Sequence, residues 1–315
     1  MKRFRTAVLI FLCLCTLSLY ACTGTPGTQN TKDGKPLCDG NTLKILAITS
    51  SAGLNTTELL GDIALAEGCT NVIVGRLYAS GCSLIQHISN AQNNTKFYEY
   101  TKFTNGTWAS ATKNTSMQEG LKDEDWDIIF IQQGAAQAPL AYTYHMNGKS
   151  YVNTLIKLIR DQIQRSDVPF VWNMTWAFQS DSTQPVFVDN FKKDQMAMYN
   201  SILNAVKEQI VPINEIHAII PSGTAIQNAR TSFIGDTLTK DTYHLNNLGR
   251  VIAGYTLYSI LTEKEITAVN VDVVSSFDIS GYHVLTDEEK QVIVEAVNAA
   301  IAKPYEITPS KFIEQ

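Results

Sequence analysis

Charge is sparse in this chain. Of 315 residues 17% are charged, and the 25 Lys and Arg fall short of the 30 Asp and Glu. With no basic cluster and a net charge of −5, nucleic acid is not an expected partner. Beyond the first 22 residues no apolar run is long enough to cross a bilayer. The five histidines and six cysteines show no zinc spacing, so metallohydrolysis ranks low, and neither a metal nor an organic cofactor is expected. A P-loop lysine and a dinucleotide glycine pattern are missing, which argues against a nucleotide binder. Repeats and low-complexity tracts are missing too.

What is present begins with a leader. Lys2, Arg3 and Arg5 precede an apolar stretch over residues 7–19 that is too short for a membrane span. It ends in Leu19-Tyr20-Ala21-Cys22, a small residue before a cysteine, as in a bacterial lipobox. The expectation is a signal peptide over residues 1–21, a lipidated Cys22, and a tether over residues 22–42 rich in Thr, Gly, Asn and Lys. An ordinary secretory signal with an incidental cysteine is the plainer reading. A lipid-anchored protein of the bacterial cell envelope follows from the first, with residues 43–315 as one domain. Cys38, Cys69 and Cys82 remain after the leader. A disulfide from Cys38 to either of the others, or buried free thiols, are both open.

Periodicity gives the fold class. Residues 43–48, 71–77, 127–131, 168–172 and 216–220 read as buried strands. Residues 55–67, 82–91, 151–165, 191–209, 247–261 and 288–301 carry helical spacing. Asn105-Gly106 between two aromatic, β-prone runs predicts a small hairpin insertion beside the main sheet. Strands alternating with helices imply a three-layer α/β/α domain on a five-stranded parallel sheet. In such sheets ligands bind beyond the carboxyl ends of the strands, so the loops there hold the candidates.

The most specific motif is Asp241-Thr242-Tyr243-His244, just before an apolar helix. An acid three residues before a histidine can accept its Nδ1 proton and leave Nε2 as a general base. The loop after the first strand, Thr49-Ser50-Ser51-Ala52-Gly53, offers Ser51 as nucleophile with its own amide as an oxyanion donor. Taken alone, this loop reads better as ordinary turn and cap residues. Gly81 after the second strand can bring a backbone amide to a ligand. Gln132 and Gln133 follow the third strand, and adjacent strand residues face opposite ways, so one of them is expected at the site. Trp176, after the fourth strand, could face a sugar or acyl group, though large aromatics more often pack in cores. His87, His145, His217 and His283 read as packing or surface residues.

In order and position these loops resemble the SGNH/GDSL hydrolase superfamily, and residues 44–60 and 241–250 are most similar to the bacterial domain-of-unknown-function family 4886. The resemblance spans about residues 43–261. It implies a flavodoxin-like sheet, Ser51 as catalytic serine, and Asp241 and His244 as acid and base. It also implies Gly81 as second-block glycine and Gln133, or its neighbour Gln132, near the third-block asparagine. The family's first block usually reads Gly-Asn-Ser-Phe-Ser, whereas Thr49-Ser50-Ser51-Ala52-Gly53 stands here. The implied activity is ester hydrolysis, removing small acyl groups from a carbohydrate. A glycan- or small-ligand-binding lipoprotein that kept the cleft is the alternative.

Overall fold

The computed structural model describes residues 31–163, 165–271 and 284–313. The expected leader, Cys22 and His283 lie outside the described residues. In chain order the elements are β1 (Thr42–Thr49), α1 (Ser51–Thr57), α2 (Leu60–Ala66), β2 (Asn71–Tyr78) and α3 (Leu84–Gln92). Then come β3 (Tyr98–Thr104), β4 (Thr107–Trp108), β5 (Thr112–Thr115), α4 (Met117–Lys122) and β6 (Ile128–Ile131). A 3-10 turn (Ala141–Tyr144) leads to β7 (His145–Met146), β8 (Lys149–Ser150), α5 (Tyr151–Arg160) and β9 (Phe170–Asn173). The chain continues through α6 (Pro185–Phe191), α7 (Gln195–Gln209), β10 (Ile216–Ile220), α8 (Ser222–Arg230), α9 (Asn247–Thr262) and α10 (Asp287–Ala302).

The main sheet runs β10-β9-β6-β1-β2-β3-β4, and the five strands from β10 to β2 are mutually parallel. Numbered along the chain, these five stand in the order 2-1-3-4-5, which is flavodoxin-like. The Asn-Gly hairpin turns with both residues at positive φ (Asn105 44°, Gly106 99°). It extends the main sheet, because β3 pairs antiparallel with β2 and carries β4 and β5 in turn. That continuation pairs Trp108 of β4 with Phe103 of β3 and sets its ring against Arg76 of β2, which matters below.

Strand alternation makes two cores. Ile45, Ala47, Phe130, Val171 and Ile220 pack against residues of α2, α8, α9 and α10. Leu46, Ile48, Ile131, Phe170 and Trp172 pack on the other face against α3, α5 and α7. Among the described residues no helix is long and apolar enough to cross a membrane.

Several boundaries differ from expectation for physical reasons. The helix expected over residues 55–67 starts at Ser51 and is divided at Glu58–Leu59. Thr56 and Thr57 bond back to the Ala52 and Gly53 carbonyls, a pattern that weakens a helix. The single helix expected over residues 191–209 is two: Lys192 and Lys193 take positive φ, and Asp194 caps α7 by accepting from Ala197 N at 2.9 Å. Helix α8 is buried along its whole length, so it has no amphipathic stripe to read. Packing also begins before residue 43. Thr31 bridges to Ala218, and the Leu37 and Cys38 amides donate to the Leu261 carbonyl at 2.8 and 2.9 Å. Cys38, Cys69 and Cys82 are buried free thiols, so the disulfide from Cys38 is not formed. Burial pushes the Cys38 thiol up to about 11 and Cys82 to about 12.

Candidate active site

Ser50, in extended backbone, precedes α1, and Ser51 is its first residue. Ser51, Leu54, Asn55 and Glu58 recur at helical spacing and share one face. That face forms a wall of a cleft of about 150 Å³. Arg76 and Tyr78, alternate residues of β2, form a second wall, and Lys240, His244 and Arg250 a third. Ser51 and His244 therefore line one cavity. No hydrogen bond joins them among the described residues; such bonds often tighten only when substrate enters.

The acid–base turn is tightly made. His244 Nδ1 lies 2.6 Å from Asp241 Oδ2, while Asp241 Oδ1 accepts from the His244 amide at 2.8 Å. Burial works to raise the Asp241 carboxyl. The hydrogen bonds from His244, with its charge, outweigh that and hold it below the ordinary carboxylate range. Thr242 sits at φ 74°, a left-handed conformation a threonine rarely takes, and its carbonyl accepts from Gln179 N at 2.8 Å. The Tyr243 ring lies against the His244 ring, with centroids 3.9 Å apart.

Two contacts tie this turn to the rest of the site. Asn55 Oδ1 accepts from the Leu245 amide at 3.0 Å, joining the face that carries Ser51 to the residue after His244. Trp176 Nε1 donates to the Tyr243 carbonyl at 2.8 Å. Trp176 is buried, so the structure uses it to anchor the turn and not as a platform in the cleft.

Beneath Ser50 lies a buried polar hub. Gln132 Nε2 donates to Ser50 Oγ at 3.1 Å, and its Oε1 accepts from Asn173 Nδ2 at 3.0 Å. Asn173 also donates to Thr56 Oγ1 at 3.2 Å and accepts from Ser222 Oγ at 2.8 Å. The ends of four parallel strands are thereby cross-linked under the serine loop. Gln133 faces the opposite side, as the alternation requires. Its Oε1 accepts from the Leu84 and Gly134 amides at 2.9 Å each, and its Nε2 donates to the Thr143 carbonyl at 3.1 Å. Neither glutamine lines the cleft. Gly81 sits exposed in the turn after β2 at φ 62°. Its amide makes no hydrogen bond among the described residues, and it too is outside the cleft lining.

The floor of the cleft is charged. Arg250 Nη1 lies 2.9 Å from Glu58 Oε2 with both side chains nearly sealed (3% and 6% exposed). The approach is off the N–H direction, so the contact is an ion pair and not an aligned hydrogen bond. Arg250 Nε donates to the Leu245 carbonyl at 3.0 Å. Arg76 is buried as well, with Nε donating to Thr101 Oγ1 at 3.1 Å and the guanidinium 3.7 Å from the Trp108 ring centroid. Burial draws its pKa down to about 10, opposed by Glu58 and reinforced by the like charge of Arg250. Sequence reasoning passed over Asn55, Glu58, Arg76 and Arg250. Arg76 left a signal: a charge inside the apolar strand run Val72-Ile73-Val74-Gly75-Arg76-Leu77. No group of three or more His, Cys, Asp or Glu is placed to hold a metal ion among the described residues.

The sequence profile of the domain of unknown function DUF4886 matches residues 44–284. The crystal structure of a DUF4886 family protein from Bacteroides uniformis ATCC 8492 is similar, with a TM-score of 0.76 and 33% identity, covering 87% of this chain and 100% of that one. More distant likenesses include a candidate SGNH hydrolase from Slackia heliotrinireducens (TM-score 0.43, 16% identity, 71% of this chain and 100% of that one). Another is a candidate GDSL-like lipase from Parabacteroides merdae ATCC 43184 (TM-score 0.41, 11% identity, 71% and 98%). These two are too remote to carry an argument. No curated protein matches the chain.

Proposed function

The chain belongs to the DUF4886 family, and we propose that it is a serine ester hydrolase that uses Ser51, His244 and Asp241. The observation that carries this reading is the 2.6 Å contact of His244 Nδ1 with Asp241, in a cleft that Ser51 also lines. With Nδ1 committed, Nε2 is the nitrogen left to move a proton. His244 takes the Ser51 proton as Oγ attacks the ester carbonyl, and the imidazolium then protonates the departing alkoxide. Water, deprotonated by the same nitrogen, attacks the acyl-enzyme and releases the acid. The Ser51 amide is the proposed oxyanion donor.

The size of the cleft supports a small acyl group such as acetyl. A carbohydrate as the alcohol half, and anchoring in the bacterial envelope through Cys22, follow the expected lipobox and belong to the same proposal. One observation favours a second reading, a binding protein that has lost turnover. The carboxamide of Gln133 is spent on the Leu84 and Gly134 amides and on Thr143, which leaves the oxyanion without its expected side-chain donor. Hydrolysis of 4-nitrophenyl acetate separates the two. Turnover that falls by about a thousandfold or more in both Ser51→Ala and His244→Ala supports the hydrolase. Turnover unchanged in either variant contradicts it.

A further inference from the structure

We propose that the cleft contains a carboxylate-binding subsite centred on Arg76, so that its substrate is an ester bearing a carboxylate close to the scissile bond. The chemistry rests on the hydrolase reading above; the binding does not.

Arg76 occupies an unusual place. It follows Val72 and Val74 at alternate positions of β2, on the face that those residues bury. The hairpin extension lays Trp108 over its guanidinium plane, and Thr101 across the β2–β3 pair takes the Nε proton. The two Nη nitrogens make no hydrogen bond to the protein, and no carboxylate lies within ion-pair distance of them, among the described residues. The nearest acid on the cleft floor, Glu58, is engaged by Arg250. A guanidinium held 97% from solvent with a neutral hydroxyl and a ring as its partners is costly to bury. If Arg76 only joined β2 to the hairpin, an uncharged side chain would do so without that cost.

The open side of Arg76 faces the cavity that Ser51 and His244 also line. Arg250 is paired with Glu58, so Arg76 is the guanidinium that lines the cleft without a carboxylate partner. An unpaired guanidinium offers one positive charge and two parallel N–H groups, a match to the single charge and two oxygens of a carboxylate. A dianionic phosphate would need a second unpaired cation. The cavity of about 150 Å³ holds a carboxylate and a few carbons beside the reacting carbonyl.

The test swaps charge and nothing else. 4-Nitrophenyl hemisuccinate is compared with the matching succinamate ester, and O-acetylglycolate with O-acetylglycolamide, so the carboxylate is tried on the acyl and on the alcohol side. Wild type is expected to prefer the charged member of at least one pair by about tenfold or more in kcat/KM, and Arg76→Gln to bring that ratio close to one. Arg76→Lys, which keeps the charge but not the fork, is expected to fall between, and it serves if Arg76→Gln does not fold. Equal kcat/KM for charged and uncharged esters in wild type overturns the proposal, as does a preference that survives Arg76→Gln. Thermal-shift titrations of Ser51→Ala with succinate and with succinamide need no turnover. Stabilisation by succinate alone, in a protein that hydrolyses no ester, sinks the hydrolase reading and keeps the subsite. Turnover without charge preference does the reverse.

Discussion

Removing the Arg250 side chain tests the buried charge on which the cleft is built. In Arg250→Met the Glu58 carboxylate is left without its ion-pair partner at a site where its side chain is 6% exposed. Breaking a buried pair in this way typically costs about 3–5 kcal/mol, against at most about 1 kcal/mol for a pair on the surface. Glu58→Gln strands the arginine instead and is expected to cost a similar amount. The double variant removes both charges, so most of the loss should return. It keeps only the missing Arg250 Nε bond to the Leu245 carbonyl, about 1 kcal/mol. Urea unfolding of the four proteins closes a double-mutant cycle with an expected coupling of roughly 5–9 kcal/mol, the two single losses less what the double variant still lacks. In heating experiments each single variant should lose roughly 6–20 °C of Tm. Single-variant losses below about 1 kcal/mol, or losses that simply add in the double, would refute this account of the floor.

Three further perturbations probe other parts of the molecule. Asn55→Ala leaves the Leu245 amide without its acceptor, so stability should drop by about 1–3 kcal/mol and ester turnover with it; unchanged turnover would mean that α1 does not position the His244 turn. Gly53→Ala drives a methyl into Thr49 Oγ1, the Phe130 ring and Gln132 Oε1, so the serine loop must shift, and both Tm and turnover should fall; full activity would show the loop to be tolerant. His87 is fully buried against Tyr98, with Nδ1 2.9 Å from its hydroxyl, and burial lowers its pKa from 6.5 to about 4. The fold holds the neutral ring, so this stability is present above pH 6.5 and is lost as pH falls through about 4, roughly 3 kcal/mol in all. His87→Gln should flatten the stability profile across that window, and an identical slope in the variant would contradict the assignment.

The sheet was legible because strands buried on both faces read as unbroken apolar runs such as Ile128-Ile129-Phe130-Ile131. The acid–base turn was legible because both partners lie within four residues, and local geometry alone can bring them together. Contacts that span the chain were not. Asn55 and Leu245 are 190 positions apart, and no spacing rule links them. The two-sidedness of Gln132-Gln133 could be read, but not which side held the serine loop, since that depends on where α1 packs. Trp176 could be foreseen as core, yet its bond to the Tyr243 carbonyl needed the fold. The lesson of Arg76 is different: its charge stood out in an apolar strand and could have been weighed as a functional signal.

The central claim is that Ser51 is a nucleophile activated by His244. Labelling of the purified protein with a fluorophosphonate probe, read by intact mass, tests it most directly. The account predicts a single adduct on wild type at Ser51, none on Ser51→Ala, and labelling slowed by about a thousandfold on His244→Ala. Undiminished labelling of Ser51→Ala, or no labelling of folded wild type, would contradict it.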